Sequence, residues 1–314
     1  MKVVAIAGGV GAGKFLRGLV RAVPADDVTV VVNTGDDIEV HGLHVSPDLD
    51  SVTYWLGDVM DRERGWGRRD ESFRAIAELA RFDPEAAWFN LGDLDLATHL
   101  FRTRLLAEGS PLSEATARIA ARFGVEARVM PMTDDVVATR VVVDDGGREV
   151  DLHFQEYWVR RHAGDRIVRI VVDGIARARP APGVLQAIGE ADAIVVCPSN
   201  PVVSVRPVLA VAGVREAVAA KRPAVVGISP IVAGAPLGGM ADKVMPAVGL
   251  EVSALGAARA HAGVLGAWVI DEADRELAAK IEEALGVPVA VTDTVMRDDD
   301  AAEALARASL SLVG

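Results

Sequence analysis

Cysteine is nearly absent from this sequence: Cys197 is the only thiol in 314 residues. That excludes an intramolecular disulfide and any metal site built from several thiolates. Cys197 ends the apolar run Ala193-Ile194-Val195-Val196 and reads as a packed core position rather than a reactive group. Aromatic residues are scarce too, at 4%. The core must therefore come from Val, Ala, Leu and Ile, the composition of strands covered by helices on both faces. Basic charge is the minority sign, with 33 Lys and Arg against 45 Asp and Glu, a formal net charge of −12, and no basic run longer than two residues. Such a chain repels a polyphosphate backbone, so nucleic acid is not an expected partner. No stretch approaches the ~20 apolar residues that span a bilayer, and no apolar segment of secretory length opens the chain. The expectation is a cytoplasmic protein with no membrane partner.

What is present is ample core material, 51% hydrophobic against 25% charged, which excludes the disordered class. Lys2 to Ala7 is a short, mostly apolar run that stops at glycines. Phe15 to Val23 has helical spacing at Phe15, Leu16, Leu19 and Val20, and Val28 to Val32 is a β-branched run. Together they predict a βαβ unit. The second half repeats the alternation. Buried-strand runs at Ala193–Val196, Ala224–Ile228, Ala267–Ile270 and Val289–Val291 are separated by helical stretches at Val208–Ala220 and Glu272–Leu285, and Asp300–Leu310 follows as a helix. The middle differs: Val125–Met130, Thr139–Val143 and Glu149–Phe154 read as strands, with Asp144-Asp145-Gly146-Gly147 as a hairpin turn. We expect an α/β fold in one domain over 1–314, a doubly wound, mostly parallel sheet with an inserted α+β cap at about 100–190.

The segment Gly8-Gly9-Val10-Gly11-Ala12-Gly13-Lys14 fits G-x-x-x-x-G-K, the start of a phosphate-binding P-loop. The next position should be a magnesium-ligating Ser or Thr and is Phe15, which argues against an ordinary P-loop kinase or ATPase. The dinucleotide fingerprint fails as well. Its third glycine falls on Lys14, and the acid expected about 20 residues later falls near Asn33. What survives is a glycine turn that lets backbone approach a phosphate, ahead of a helix N-terminus that favours anions. The bland alternative is a tight strand-to-helix turn with no ligand.

Asp36, Asp37, Asp48 and Asp50 lie within fifteen residues, just past the second predicted strand. Ligands of open parallel sheets bind outside the carboxyl ends of the strands, which places these carboxylates beside the glycine turn. Carboxylates near phosphates suit Mg²⁺. Asp36 and Asp48 are the candidate metal ligands and Asp36, Asp48 and Asp50 the candidate catalytic residues, while Asp37 reads as a turn residue. His41 and His44 have no third ligand at zinc spacing.

These segments, with Ser46-Pro47-Asp48-Leu49-Asp50, Leu91-Gly92-Asp93-Leu94-Asp95-Leu96-Ala97-Thr98-His99, His153-Phe154-Gln155-Glu156-Tyr157-Trp158, Pro198-Ser199-Asn200-Pro201, Ser229-Pro230-Ile231 and Gly239-Met240-Ala241-Asp242-Lys243, resemble the 2-phospho-L-lactate transferase family, CofD or FbiA. The resemblance covers essentially the whole chain. It implies a Rossmann-like core, Mg²⁺, a homodimer, and a step of coenzyme F-420 biosynthesis. In that step the hydroxyl of the deazaflavin Fo attacks the phosphorus bearing a lactyl or enolpyruvyl group in a guanosine diphosphate diester, releasing GMP. It assigns Gly8, Gly9, Gly11, Gly13, Lys14, Ser199, Asn200 and Ser204 to the nucleotide and its phosphates, and Asp50, Leu94 and His99 to the deazaflavin. The family reads Gly-Asp-Arg-Asp where this chain has Leu94, and Arg102, Arg104 or Lys14 are the candidates to replace that charge. A related regulator family, YvcK-like, shares the glycine turn and the Asn33–Asp37 turn and binds nucleotide sugars without catalysis. Leu91–His99 and His153–Trp158 resemble the transferases instead.

Overall fold

A computed structural model describes residues 1–313. Its centre is a seven-stranded sheet. The strands appear in chain order as β1 (Val3–Ala7), β2 (Val28–Val32), the small hairpin β3 (Ile38–Val40) and β4 (Leu43–Val45), β5 (Arg128–Pro131), β6 (Ala138–Asp145), β7 (Arg148–His153), β8 (Arg166–Asp173), β9 (Ala193–Val196), β10 (Val225–Ile228), the short pair β11 (Ile231–Val232) and β12 (Ala235–Pro236), β13 (Ala267–Asp271) and β14 (Val289–Thr292). The central order is β14-β13-β10-β9-β1-β2-β5, and every pairing in it is parallel.

Alternate residues of each strand enter different cores. Val4, Ile6, Val31, Ile194 and Val196 pack on one face. Val3, Ala5, Val30, Val32, Val195 and Cys197 pack on the other. Both faces need aliphatic cover, which is why these strands are continuous apolar runs rather than alternating ones. The first half holds the helices α1 (Gly9–Ala22), α2 (Pro47–Leu56), α3 (Arg74–Phe82), α4 (Asp93–Ala107) and α5 (Leu112–Arg122), of which α1, α2 and α4 line the site. The C-terminal helix Asp299–Leu310 packs along α1. The chain runs outward from β1 through β2 to β5, then returns to β9 beside β1 and runs the other way. The crevice above β1 and β9 is thus the topological switch point, where such folds bind ligands.

Four expectations change. Val125–Met130 was grouped with the antiparallel middle strands, but β5 lies parallel to β2, with Val30 opposite Val129. A short apolar run carries no sign of its direction. The antiparallel sheet has the order β7-β6-β8, so β8 is the third strand, which sequence reasoning left unassigned. The helix expected over Val208–Ala220 is two helices, Arg206–Ala210 and Val214–Ala220, divided where Gly213 turns left-handed at φ +79°. The Glu272–Leu285 stretch opens as 3₁₀ over Glu272–Leu277 before the α-helix Ala278–Leu285. Among the described residues, no helix is long and apolar enough to cross a membrane.

Candidate active site

A cleft of about 1130 Å³ opens over the switch point. That exceeds the ~300–1,000 Å³ common for one small ligand and leaves room for two substrates side by side. The glycine segment is less of a loop than the sequence suggests, because α1 already starts at Gly9. Gly9 takes φ +73°, a conformation open to glycine. At Gly8 a Cβ would stand 2.6 Å from both Asp48 Oδ2 and Ser204 Cβ. Backbone, carboxylate and the β9 turn therefore converge there only because the side chain is absent. Gly11 plays the same part against the Pro198 carbonyl, 2.4 Å from a would-be Cβ. Gly8, Gly9, Gly11 and Lys14 line the cleft. Gly13 does not: its missing Cβ is space taken by Trp55, 2.1 Å away, so it serves the contact of α1 with α2 and not a phosphate. No side chain caps the start of α1, and its first turn has no acidic residue. Of its leading amides, that of Gly9 faces Asp48 and lowers its pKa, and the next ones are open to an anion.

Opposite these amides stands a buried carboxylate pair. Asn33 follows β2 and donates its Nδ2 to Asp36 Oδ1 at 3.3 Å and to Asp48 Oδ2 at 2.9 Å. Gln155, from the segment after β7, donates Nε2 to Asp36 Oδ2 at 3.2 Å. Burial above all, reinforced by Asp48 and Asp37, holds Asp36 well above the usual carboxylate range. Asp48 is pushed up to about 7, again mainly by burial and despite the hydrogen bond from Asn33. Two buried acids met only by neutral amides form a site short of positive charge. No cluster of three or more His, Cys, Asp or Glu suited to a metal occurs among the described residues. Mg²⁺ does not need one, since it commonly takes one or two carboxylates and completes its shell with phosphate oxygens and water. The donor set fits that ion in the presence of a phosphate ligand. Asp37 turns away from the cleft, accepting from Ser46 Oγ at 2.8 Å and pairing with His44 Nε2 at 3.0 Å.

The wall beyond this pair belongs to α2 and α4. Asp50 is held by the Arg102 guanidinium, Nη1 to Oδ2 at 3.1 Å and Nη2 to Oδ1. Both partners are buried. With both carboxylate oxygens engaged by one guanidinium, the orientation of Asp50 is fixed. His99 lies between two acids, its Nδ1 3.6 Å from Asp50 and its Nε2 3.5 Å from Asp95. The Tyr54 hydroxyl donates to Asp95 at 2.5 Å. Burial works to raise Asp95, but the nearby His99 imidazole and the hydrogen bond from Tyr54 outweigh it and lower its pKa. Burial and the Asp95 charge push the Tyr54 phenol up.

Leu94 does not join this wall. Asp95 and His99 are four apart on α4 and face the cleft, which turns position 94 to the next helical face, where Leu94 is 39% exposed and outside the cleft lining. Of the candidates to replace the family Arg, Arg102 is committed to Asp50 and Arg104 pairs with Glu108 at 3.7 Å on the surface, while Lys14 lines the cleft. From the other half, Ser199, Asn200 and Ser204 all line it. Ser199 Oγ accepts from the Gly8 amide at 3.3 Å, and Asn200 Oδ1 caps the next turn through the Val202 and Val203 amides at 3.0 and 3.3 Å. Cys197 is buried and its thiol pushed up by burial, a packed residue as expected. Sequence reasoning gave no site role to Asn33, Tyr54 or Asp95, and left Gln155, within His153–Trp158, evenly between the site and cap packing. Asn33 was visible in the turn Asn33–Asp37, but only the fold shows that it bridges two acids.

Residues 3–309 match the family described as 2-phospho-L-lactate transferase CofD. A phosphoenolpyruvate transferase of Streptomyces griseus subsp. griseus is 49% identical over 313 residues, covering 99% of this chain and 98% of that protein. The phosphoenolpyruvate transferase of Thermobifida fusca is 45% identical at 99% and 98% coverage. That of Mycolicibacterium smegmatis is 41% identical at 100% and 99%. Among solved structures, a Bacillus halodurans protein of the upf0052 family superposes with a TM-score of 0.61 at 18% identity, covering 98% of each chain, a likeness of fold alone. With a family match over nearly its whole length and close relatives end to end, the chain belongs to the 2-phospho-L-lactate transferase CofD family and is a transferase.

Proposed function

We propose that this protein transfers a phosphoenolpyruvyl or phospholactyl group from a guanosine diphosphate diester to the hydroxyl of the deazaflavin Fo, releasing GMP. One observation carries the reading: a glycine turn with open helix amides faces a buried, cation-deficient acid pair, Asp36 and Asp48, inside a cleft large enough for two substrates. The relatives' name, phosphoenolpyruvate transferase, supports the enolpyruvyl donor.

Phosphoryl-type transfer asks the protein mainly for positioning and charge neutralisation. The Gly8–Gly11 backbone and Lys14 bind the diphosphate, and Ser199, Asn200 and Ser204 adjoin it from the β9 side. Asp36 and Asp48 would hold Mg²⁺, which supplies charge neutralisation at the phosphates when bound. Asp50, fixed by Arg102, orients the acceptor. The acceptor oxygen bonds to phosphorus as the bond to the GMP oxygen breaks. The hydroxyl proton is released to solvent, since Asp36 and Asp48 are the carboxylates that would hold the ion. The test is incubation with Fo, Mg²⁺ and each guanosine diphosphate diester, following GMP release and product mass. The expected result is stoichiometric GMP and phosphodiester product. Tight binding of a uridine diphosphate sugar with no turnover on either donor would replace the transferase reading with a sensor.

A further inference from the structure

Residues 60–68, between α2 and α3, close on themselves as a tight hairpin. Met60 and Arg68 form an antiparallel bridge. The Asp61 amide donates to the Gly67 carbonyl at 3.1 Å, and the Asp61 carboxylate accepts from the Glu63 and Arg64 amides at 3.1 and 2.9 Å. The hairpin is tied to the C-terminal helix by Arg62 on Asp299 at 3.2 Å, and to α4 by Arg68 on the Leu94 carbonyl at 3.2 Å. At the tip Trp66 sits between Gly65 and Gly67, both left-handed at φ +76° and +69°. Trp66 lines the cleft and is 40% exposed. Arg64, anchored on Asp61 at 2.8 Å, holds its guanidinium 5.3 Å from the indole centroid, with the Phe73 ring 5.9 Å away. A braced hairpin thus presents a large aromatic surface to the cleft, braced by a cation and a second ring.

We propose that Trp66 is the stacking platform for a planar conjugated heterocycle, and that its occupant is the tricyclic ring of the acceptor. The choice of occupant rests on the transferase reading above. The hairpin follows α2, which carries Asp50, and is bonded to α4, which carries Asp95 and His99, so it borders the acceptor wall. Its tip also meets the glycine turn, since a Cβ at Gly65 would stand 3.9 Å from Val10 Cγ1. A ring laid on Trp66 would bring a side-chain hydroxyl toward the phosphates. The guanine has other polar company: Ser199, Asn200, Ser229 and Thr294 line the cleft at the ends of β9, β10 and β14, across β1 from this wall. Stacking on an indole is favourable for any π-face and is further helped when a guanidinium lies against the aromatic group.

The experiment combines steady-state kinetics with tryptophan fluorescence on the full chain. In wild type, added Fo quenches a component that is missing from Trp66→Phe, identified by subtracting the two emission spectra. Trp66→Ala raises KM for Fo by roughly tenfold or more, the scale of one lost stacking contact, and Trp66→Phe recovers most of it. KM for the guanosine diester stays within about twofold, whereas a general loss of folding would lower the apparent kcat and move neither KM. Unchanged KM for Fo in Trp66→Ala, or a shift that falls on the guanosine donor, overturns the proposal. If wild type transfers nothing from either donor, the transferase reading fails. The platform is then decided by quenching alone, and absence of a Trp66-dependent signal with Fo overturns it.

Discussion

Asp50 and Arg102 are both buried and bonded to each other through two contacts, so neither can be changed alone without stranding a charge. Breaking a buried pair from one side typically costs about 3–5 kcal/mol, far more than an exposed pair is worth. Asp50→Ala should therefore lower the urea midpoint markedly as well as abolish transfer. Asp50→Asn keeps the shape and one acceptor oxygen, so it should lose less stability and still lose transfer. Equal midpoints for wild type and Asp50→Ala would show that the pair is not what holds α2 against α4. The sequence offered Asp50 as a lone site acid, because its partner lies 52 residues away and no local pattern announces such a pairing. Asn33 was hidden for a related reason. A neutral amide shows no chemistry until two acids are seen to share it.

Helix α1 is gripped along its length by features that are glycines in the sequence. Gly13 admits Trp55 of α2, and Gly18 admits the backbone of the C-terminal helix, with a would-be Cβ 2.1 Å from the Ala302 carbonyl carbon. Backbone cannot yield as a side-chain tip can. Gly18→Ala should therefore destabilise the fold by about 1–3 kcal/mol, the usual cost of overpacking, even though alanine is the better helix former. Urea unfolding would show it, and a gain in stability would mean that the two helices can separate freely. Read from sequence, Gly8–Lys14 looked like one phosphate loop. The structure divides it by face, Gly8, Gly9 and Gly11 toward the cleft and Gly13 toward α2. Strand and helix types otherwise agreed with the structure for the runs that sequence reasoning assigned, while β8 and the helices α2 to α5 were not assigned. Direction was not, as β5 shows, and neither was the break at Gly213, because each depends on neighbours distant in the chain.

At the scale of the whole molecule, the titrating groups most displaced by burial sit in different places and act in opposite senses. His261 is fully buried near Trp268, with ring centroids 6.0 Å apart and Nδ1 unpartnered. Burial, with a smaller effect from Arg215, lowers its pKa from 6.5 to about 4. A histidine kept neutral by the fold contributes its full stability above 6.5 and loses it as pH falls toward the folded value. Between pH 6.5 and 5 that loss is about 2 kcal/mol. Asp48 behaves oppositely, because a carboxyl raised to about 7 from 3.8 favours the fold increasingly as pH falls through the same window. Asp36, also raised by burial, works in the same sense as Asp48, so the wild-type profile without divalent cation should carry the gain from both acids less the His261 loss. Replacing the imidazole removes that loss: His261→Leu should gain about 2 kcal/mol more than wild type on acidification from pH 6.5 to 5. The measurement is urea unfolding of both proteins across that range in the presence of a chelator. Parallel curves would mean that His261 can take up its proton inside the fold, through an opening near Trp268 that the packed core does not show.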